Sequence, residues 1–171
     1  MEIKKTEIEG LVIVEPKVFG DNRGWFTETY SKKLLDEATG GTIFVQDNHS
    51  MSAKKGTLRG LHYQCAPMAQ AKLVRCTNGA IIDVAVDVRR SSPTFMKWVA
   101  VELTAANFRQ LFLPKGFLAF VLPVLPCPPP LRSAVIRVCL CCLRFSSMFL
   151  TAFLTGYSPH CSKSDRSHVV L

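Results

Sequence analysis

The feature that most constrains the fold is a series of short apolar runs, separated by turn-forming residues, along the first 120 positions. The runs are rich in β-branched and aromatic residues and recur at roughly 8–12-residue spacing, which is typical of all-β sandwiches and barrels. The predicted strands are residues 11–15, 18–19, 25–30, 42–46, 56–64, 71–76, 80–88, 98–103 and 110–113. The pattern therefore predicts an antiparallel all-β domain.

Three local signals refine this prediction. Ser31 is a suitable N-cap for one short helix over residues 32–38, and the Gly40-Gly41 pair would end it. Asn78-Gly79 lies between two apolar runs and predicts a tight hairpin. In the run that follows, strict alternation places Asp83 and Asp87 on one face of the strand and the valines on the other. Inward-facing acids in such a barrel are expected to line a polar cavity.

The segment GTLRGLHYQ, residues 56–64, has the densest group of chemically useful side chains. In a regular strand, His62 and Gly60 share one face, and Arg59 lies on the other. A glycine beside an inward-facing histidine is expected to leave space for a ligand. A lone histidine is also common as an ordinary core or surface residue, so the residues alone leave both interpretations open.

Composition changes abruptly after residue 120. The last 51 residues carry half of the net charge of +8 and five of the seven cysteines, and Asp165 is their only acidic residue. Basic residues in the first part alternate with acids, so a nucleic-acid-binding function is not expected. Residues 133–154 are long enough to span a bilayer, but Arg137 and Arg144 within them disfavour membrane association.

Cysteine spacing and the N-terminal sequence indicate the compartment. Cys139, Cys141 and Cys142 are too close together for a usual zinc site, and MEIKKTEIEG has no apolar stretch typical of a secretory signal. We therefore expect a cytoplasmic protein without a disulfide framework or a cysteine metal site.

Five motifs carry a resemblance to a known family. They are FGDNRGWFTETY (residues 19–30), QDNHS (46–50), GTLRGLHYQ (56–64), AKLVRCTNGAIIDVAVDVRRSSPTF (71–95) and LTAANFRQLFLPKGF (103–117). In this order and spacing they strongly resemble the dTDP-4-dehydrorhamnose 3,5-epimerase family, over residues 1 to about 118. The resemblance implies a cupin-type double-stranded β-helix, or jelly-roll barrel, and a homodimer.

The resemblance also implies an activity and site residues. The family inverts C3 and C5 of dTDP-4-keto-6-deoxy-D-glucose to give dTDP-4-keto-L-rhamnose, in dTDP-L-rhamnose biosynthesis. By resemblance His62 is the base and Lys72 the cation that stabilises the oxyanion. The residues that match substrate-binding positions are Arg23, Phe26, Glu28, Gln46, Asn48 and Arg59, and Asp83 is added because it is expected to face the cavity and to orient His62 or Lys72. No cofactor is expected, and no metal, because Gly60 and Gln64 flank His62 where a metal-binding cupin has a second histidine.

The resemblance ends near residue 118. Where the family continues with a small residue, His, Gly and Phe, this chain has Leu118-Ala119-Phe120, so Ala119 replaces the family's second active-site histidine. The family's acid tyrosine and the carboxylate that pairs with its histidine are not found at the expected distance. We therefore predict an incomplete β-barrel domain over residues 1–120 and an irregular or helical tail over residues 121–171, of the kind that a shifted reading frame produces.

Two functions follow from this departure. One is an epimerase with impaired activity. The other is a non-catalytic sugar-nucleotide-binding remnant, or a frame-shifted product with a membrane-seeking tail. The ligand of the epimerase and of the binding remnant is expected to be a dTDP-linked 4-keto-6-deoxyhexose.

Overall fold

The computed structural model describes residues 1–54, 56–123 and 167–170. These residues belong to one compact unit, which comprises Met1–Val124 and Arg166–Leu171. Its elements are β1 (Glu2–Lys5), β2 (Val12–Glu15), β3 (Val18–Asp21), β4 (Gly24–Thr27), α1 (Lys32–Thr39), β5 (His49–Ser52), β6 (Arg59–His62), β7 (Lys72–Asn78), β8 (Ala80–Asp87), β9 (Trp98–Thr104), β10 (Gln110–Leu113), β11 (Phe117–Pro123) and β12 (Ser167–Val170). The prediction of an all-β fold with one short helix is confirmed.

The strands form three sheets. A six-stranded sheet has the order β1-β2-β10-β7-β12-β5, a four-stranded sheet has the order β6-β11-β8-β9, and β3 pairs with β4 alone. Every pairing is antiparallel. The main apolar cluster combines residues of both larger sheets, among them Val74, Leu111, Ala85 and Val101. The two larger sheets therefore pack face to face over a common core.

Helix α1 covers the opposite face of the six-stranded sheet. Leu35 packs there with Val12, Val14 and Phe112 in a second buried cluster. The helix begins after Ser31 and ends at Gly40, whose left-handed φ of 61° allows its backbone N–H to bond back into the last turn. This matches the predicted position, although the Ser31 side chain makes no capping hydrogen bond.

The predicted hairpin at Asn78-Gly79 is wrong. Strands β7 and β8 follow each other with only Gly79 between them, yet β7 pairs with β10 and β12, whereas β8 pairs with β11 and β9. Gly79 adopts a φ of 77°, as a sharp turn requires. The turn therefore moves the chain from one sheet to the other instead of pairing its two flanking strands.

Other strand boundaries also differ from the prediction. Residues 42–48 form no regular element, and the strand of this region is β5, seven residues later than the predicted start. Strand β11 was not predicted, and it crosses the expected domain boundary at residue 120. The predicted two-part division of the chain remains a prediction.

The predicted tail lies mostly outside the described residues, as does the apolar segment 133–154. Its described part, β12, is a strand that inserts between β5 and β7, which differs from the irregular or helical tail that was predicted. In the part of the chain that the structure describes, no helix is both long and apolar enough to cross a membrane. Of the two described cysteines, Cys65 is exposed and Cys76 is buried, and the Cys76 thiol donates to the backbone oxygen of Asn78 over 3.2 Å.

Candidate active site

The candidate site is centred on His62, the last residue of β6. Its side chain is exposed, and it makes no hydrogen bond with any described residue. Strand β11 lies beside β6, and Ala119 is the direct cross-strand partner of His62. Ala119, which by the resemblance replaces a second histidine, therefore lies next to the predicted base and supplies only a methyl group.

The pairing between β6 and β11 is irregular, which changes the predicted faces of β6. Ala119 is opposite His62, but Val121 is opposite Arg59, so three steps on β6 match two on β11. This bulge places Arg59 and His62 on the same side of the sheet, although the alternation predicted opposite sides. An extra residue in a ladder breaks the strict period of two on which that prediction rests.

Gly60 has a different role from the one predicted. A Cβ atom at this position would lie 2.4 Å from Cβ of Phe120 and 3.0 Å from the backbone oxygen of Ala119. Gly60 also has a φ of 130°, which side chains rarely adopt. The glycine therefore allows β6 to approach β11 closely, and the predicted open space for a ligand beside it is not found.

Arg59 connects the two large sheets. Its Nε donates to Oγ of Ser52 over 3.0 Å, and one terminal nitrogen donates to the backbone oxygen of Met51 over 2.9 Å. Ser52 is buried at the end of β5. The sequence prediction did not include Ser52, although serines at alternate positions, Ser50 and Ser52, are a signal of a polar inward face.

Asp83 lies on β8, two strands away from Arg59. Val121 pairs with Asp83 on one side and with Arg59 on the other, so the three residues form a row across the sheet. The Asp83 side chain has no exposed surface, and neither carboxylate oxygen has a hydrogen-bond partner among the described residues. Its strand neighbours Val101 and Val121 belong to the apolar core, so Asp83 faces inward as predicted but does not line a polar cavity.

The environment of Asp83 changes its acidity. Burial raises its pKa to about 7, because the ionised form loses its hydration, and the positive charge of Lys72 and the nearby backbone N–H of Val84 oppose this only in part. Lys72, on β7, is half-buried and makes no hydrogen bond or ion pair with a described residue. Lys72 and Asp83 therefore interact across the core through charge, without direct contact.

The other predicted site residues lie elsewhere. Arg23, at the β3–β4 turn, is exposed and forms an ion pair with Asp21, with 2.6 Å between its terminal nitrogen and Oδ2. Phe26 is 71% exposed on β4. The remaining three are exposed residues outside the strands: Glu28, Gln46 and Asn48, of which Gln46 donates to Asn48 over 2.8 Å. No hydrogen bond or ion pair among the described residues joins these five to His62, Lys72 or Asp83.

The surface of the β3–β4 hairpin has a shallow depression of its own. It is lined by Phe19, Gly20, Asp21, Arg23, Gly24, Trp25 and Phe26. Two predicted binding residues are therefore together on the hairpin, at a place that does not include the predicted base. In residues 1–54, 56–123 and 167–170, no group of three His, Cys, Asp or Glu side chains is arranged to hold a metal ion.

Comparison with known proteins identifies the family. The model of the dTDP-4-dehydrorhamnose 3,5-epimerase family matches residues 5–122. The chain belongs to this family. The dTDP-4-dehydrorhamnose 3,5-epimerase of Shigella flexneri is 60% identical over 118 residues, which cover 68% of this chain and 65% of the Shigella protein. The Salmonella typhimurium enzyme is 55% identical over 118 residues, covering 68% of this chain and 64% of that protein.

Solved structures of family members give the same result. A Bacillus anthracis epimerase structure with TDP and PPi bound has a TM-score of 0.73 and 35% identity, and the match covers 99% of this chain and 74% of that one. A Legionella pneumophila epimerase in complex with dTDP-4-keto-L-rhamnose has a TM-score of 0.72 and 35% identity, covering 99% and 69%. The cupin-type fold of the family is thus shown for this chain. The chain spans slightly less than two-thirds of the length of the Shigella and Salmonella relatives.

Proposed function

We propose that the chain is a cytoplasmic 3,5-epimerase that converts dTDP-4-keto-6-deoxy-D-glucose to dTDP-4-keto-L-rhamnose, for dTDP-L-rhamnose biosynthesis. The observation that carries this proposal is that two side chains of this family member are available to a ligand. His62 is exposed at the end of β6, and Lys72 makes no hydrogen bond or ion pair with a described residue. An unpaired imidazole can exchange protons with a ligand, and an unpaired ammonium group can stabilise an anion.

In the proposed reaction His62 takes the proton from the carbon next to the C4 ketone. The electron pair of the broken C–H bond moves to the ketone oxygen and forms an enolate, whose negative charge the Lys72 ammonium group stabilises. A proton from solvent then adds to the opposite face of the same carbon, the ketone is restored, and the His62 imidazolium releases its proton to solvent. The same steps take place at C3 and at C5. They invert the configuration of each carbon and leave the composition of the sugar unchanged.

The proposal assigns the nucleotide end of the substrate to the remaining residues. Arg23 and Arg59 would bind the diphosphate, and each now has a protein partner that a phosphate must displace: Asp21 for Arg23, and Ser52 with Met51 for Arg59. The proposed substrate contacts are completed by Phe26, Glu28, Gln46 and Asn48.

We also propose that the chain forms a homodimer. A two-stranded hairpin is marginally stable by itself, and β3–β4 exposes 54% of Phe19, 64% of Trp25 and 71% of Phe26. Apolar side chains that are this exposed often mark a protein–protein interface, and this supports a dimer in which a second copy covers the hairpin.

Ala119 supports a second candidate, a protein that binds the sugar nucleotide without turning it over. It lies directly opposite His62, where the family has a histidine, so the proposed site lacks one polar group. In this case the ligand would stabilise the fold, and no proton would be exchanged. The residues after 120 would then be a frame-shifted tail on a binding remnant.

Solvent exchange distinguishes the two candidates. The full chain is incubated with dTDP-4-keto-6-deoxyglucose in D2O, and deuterium at C3 and C5 is followed by NMR. We expect exchange that falls by at least about 100-fold in His62→Ala and is unchanged in the matched control His49→Ala. Ala119→His tests whether the missing imidazole limits the rate.

The outcomes separate clearly. Exchange that survives His62→Ala would contradict the assigned base. A rise in melting temperature with dTDP but no exchange in any variant would favour the binding protein over the epimerase. Neither exchange nor stabilisation would overturn both candidates.

A further inference from the structure

Strand β12 is paired on both sides, although it belongs to the tail that departs from the family. Residues 167–170 pair antiparallel with all four residues of β5 and, on the other side, with three residues of β7. In the described sheet β5 lies at the edge, so β12 is the strand that joins it to β7. Without residues 167–170, a gap of about 10 Å between the two backbones would leave the facing hydrogen-bonding groups of β5 and β7 unpaired.

Contacts at both ends of β5 fix its place. At one end, Arg59 of β6 donates to Oγ of Ser52 over 3.0 Å and to the backbone oxygen of Met51 over 2.9 Å. At the other end, Nε2 of His49 lies 3.3 Å from Oγ1 of Thr77, which is on β7. Because Arg59 ties β5 to the other large sheet, β5 cannot move by the width of a strand to pair with β7 directly unless these bonds break. The gap that β12 fills therefore has a set width.

Strand β7 also fixes the alignment of the strand in this gap. His168 is opposite Asn78. The next residue, Val169, is opposite Cys76, so one step on β12 matches two on β7. A bulge of this kind pins the register of the strands that meet at it. Cys76 is buried in the main apolar core, and at its register position the tail has a valine, a residue type that strands favour.

We propose that the gap between β5 and β7 is an acceptor site for one extended peptide strand, and that its occupant is residues 167–170 of the same chain. Backbone hydrogen bonds to both neighbours bind the strand, and the bulge on β7 selects its alignment. Tethering to the same chain raises the local concentration of this segment above that of the same segment in a second copy. Once its own strand is removed, the site takes a free peptide of the same sequence. The inference is independent of the proposed function.

Amide hydrogen exchange of the full chain, read by mass spectrometry, tests the acceptor site. In the unmodified chain, residues 167–170 should be protected as well as residues 49–52, and dilution should not change this. Val169→Pro removes a backbone donor and does not fit between two strands, so residues 49–52 should lose protection by about 10-fold or more. Residues 80–87 of β8 do not pair with β12 and should keep their protection. Val169→Thr keeps the backbone N–H and the branched Cβ, so it is the matched control.

Rescue by a free peptide tests whether the emptied gap accepts a strand. Peptide DRSHVVL, residues 165–171, is added to Val169→Pro at millimolar concentration. It should restore the protection of residues 49–52. The same peptide with proline in place of its first valine is the control and should restore nothing.

Several results would overturn the proposal. Unprotected amides at residues 167–170 in the unmodified chain would do so, even if Val169→Pro does not fold. Protection of these residues that falls on dilution would mean that the strand comes from a second copy. In a Val169→Pro chain with protected β8, unchanged protection of residues 49–52 would exclude the assigned pairing, and no response to the peptide would exclude an acceptor site. The epimerase is judged separately, by deuterium exchange at C3 and C5.

Discussion

Two buried aspartates on one strand, Asp83 and Asp87, have very different surroundings. Asp83 and Asp87 lie four residues apart on β8, on the same face, and neither side chain has exposed surface. Asp83 has no hydrogen-bond partner among the described residues, whereas Asp87 is bonded by Arg89, Ser92 and Thr94.

The difference comes from the loop after β8. Arg89 donates to both oxygens of Asp87, over 2.9 and 2.8 Å, and Ser92 and Thr94 donate over 2.6 and 2.7 Å. Burial tends to raise the pKa of Asp87, but these hydrogen bonds outweigh it and hold the pKa well below its usual range. Burial by itself thus does not decide the charge of a carboxylate, because the donors supplied by the neighbouring loop do.

The largest expected effect is on stability near pH 8. The folded-state pKa of Asp83, about 7, is above the unfolded value of 3.8, so the folded chain holds the proton more tightly and loses stability as pH rises between these values. Asp83→Asn cannot ionise and should therefore be more stable than the unmodified chain at pH 8, by up to about 4 kcal/mol. Urea unfolding at pH 8 and pH 4.5 measures this, with Asp36→Asn as control. A gain of the same size at both pH values would contradict the assigned cause.

Removing the main partner of Asp87 should have the next largest effect. Arg89→Ala leaves a buried carboxylate without its bidentate cation and removes the contact of Arg89 with the Phe117 ring, 4.7 Å from the guanidinium carbon to the ring centre. We expect a loss of about 3 kcal/mol at pH 7 in chemical unfolding. Lys32→Ala, which breaks the exposed ion pair with Asp36, is the control and should change stability much less.

The same variant has a pH signature. The folded-state pKa of Asp87 lies below its unfolded value, so its stabilisation is present above the unfolded pKa of 3.8 and is lost as pH falls further. The difference between Arg89→Ala and the unmodified chain should therefore shrink in acid. A difference that stays constant below pH 4 would show that Arg89 acts mainly through packing.

A single hydrogen bond to Asp87 should be worth less. Thr94→Val keeps the shape of the side chain and removes the hydroxyl that donates to Asp87 over 2.7 Å. We expect a loss of about 2 kcal/mol, typical of a hydrogen bond to a charged group. Thr57→Val is the matched control, because Thr57 donates only to an exposed backbone carbonyl. Equal losses from both valine variants would mean that the charge of Asp87 adds nothing.

The smallest expected effect concerns the long-range partner of Asp83. Lys72→Gln removes an attraction that acts without direct contact, so stability at pH 8 should fall by less than about 1 kcal/mol. At pH 5, where Asp83 is protonated, the loss should vanish. Lys97→Gln, an exposed lysine, serves as control, and a loss that is independent of pH would exclude the proposed pair.

Patterns that depend on neighbouring residues were predicted well. Helix α1 with its glycine stop, strand β10 over residues 110–113, and the shared face of Asp83 and Asp87 all follow from local chain geometry. The family was also predicted correctly from the sequence, because long motifs such as GTLRGLHYQ are specific to it. The assigned roles of His62 and Lys72 stay predictions until exchange is measured.

Features that depend on partners distant in sequence were not predicted. Asn78-Gly79 has the residues of a hairpin turn, but the strands on either side pair elsewhere, with β10 and β12 for β7 and with β11 and β9 for β8. The face of Arg59 was predicted wrongly, because the bulge exists only where β6 meets β11. Gly60 was assigned to a ligand, and it serves the close approach of Phe120.

The sequence by itself determined the strand-rich first part, its family, and the positions of two acids on the inward face of β8. Only the tertiary structure decided that the Asp87 carboxylate is hydrogen-bonded at both oxygens, while the equally buried Asp83 carboxylate has no hydrogen-bond partner among the described residues. The physical reason is that alternation along a strand sets which face a side chain occupies. Its charge depends on hydration and hydrogen bonds, and these are set by the strands and loops that fold against that face.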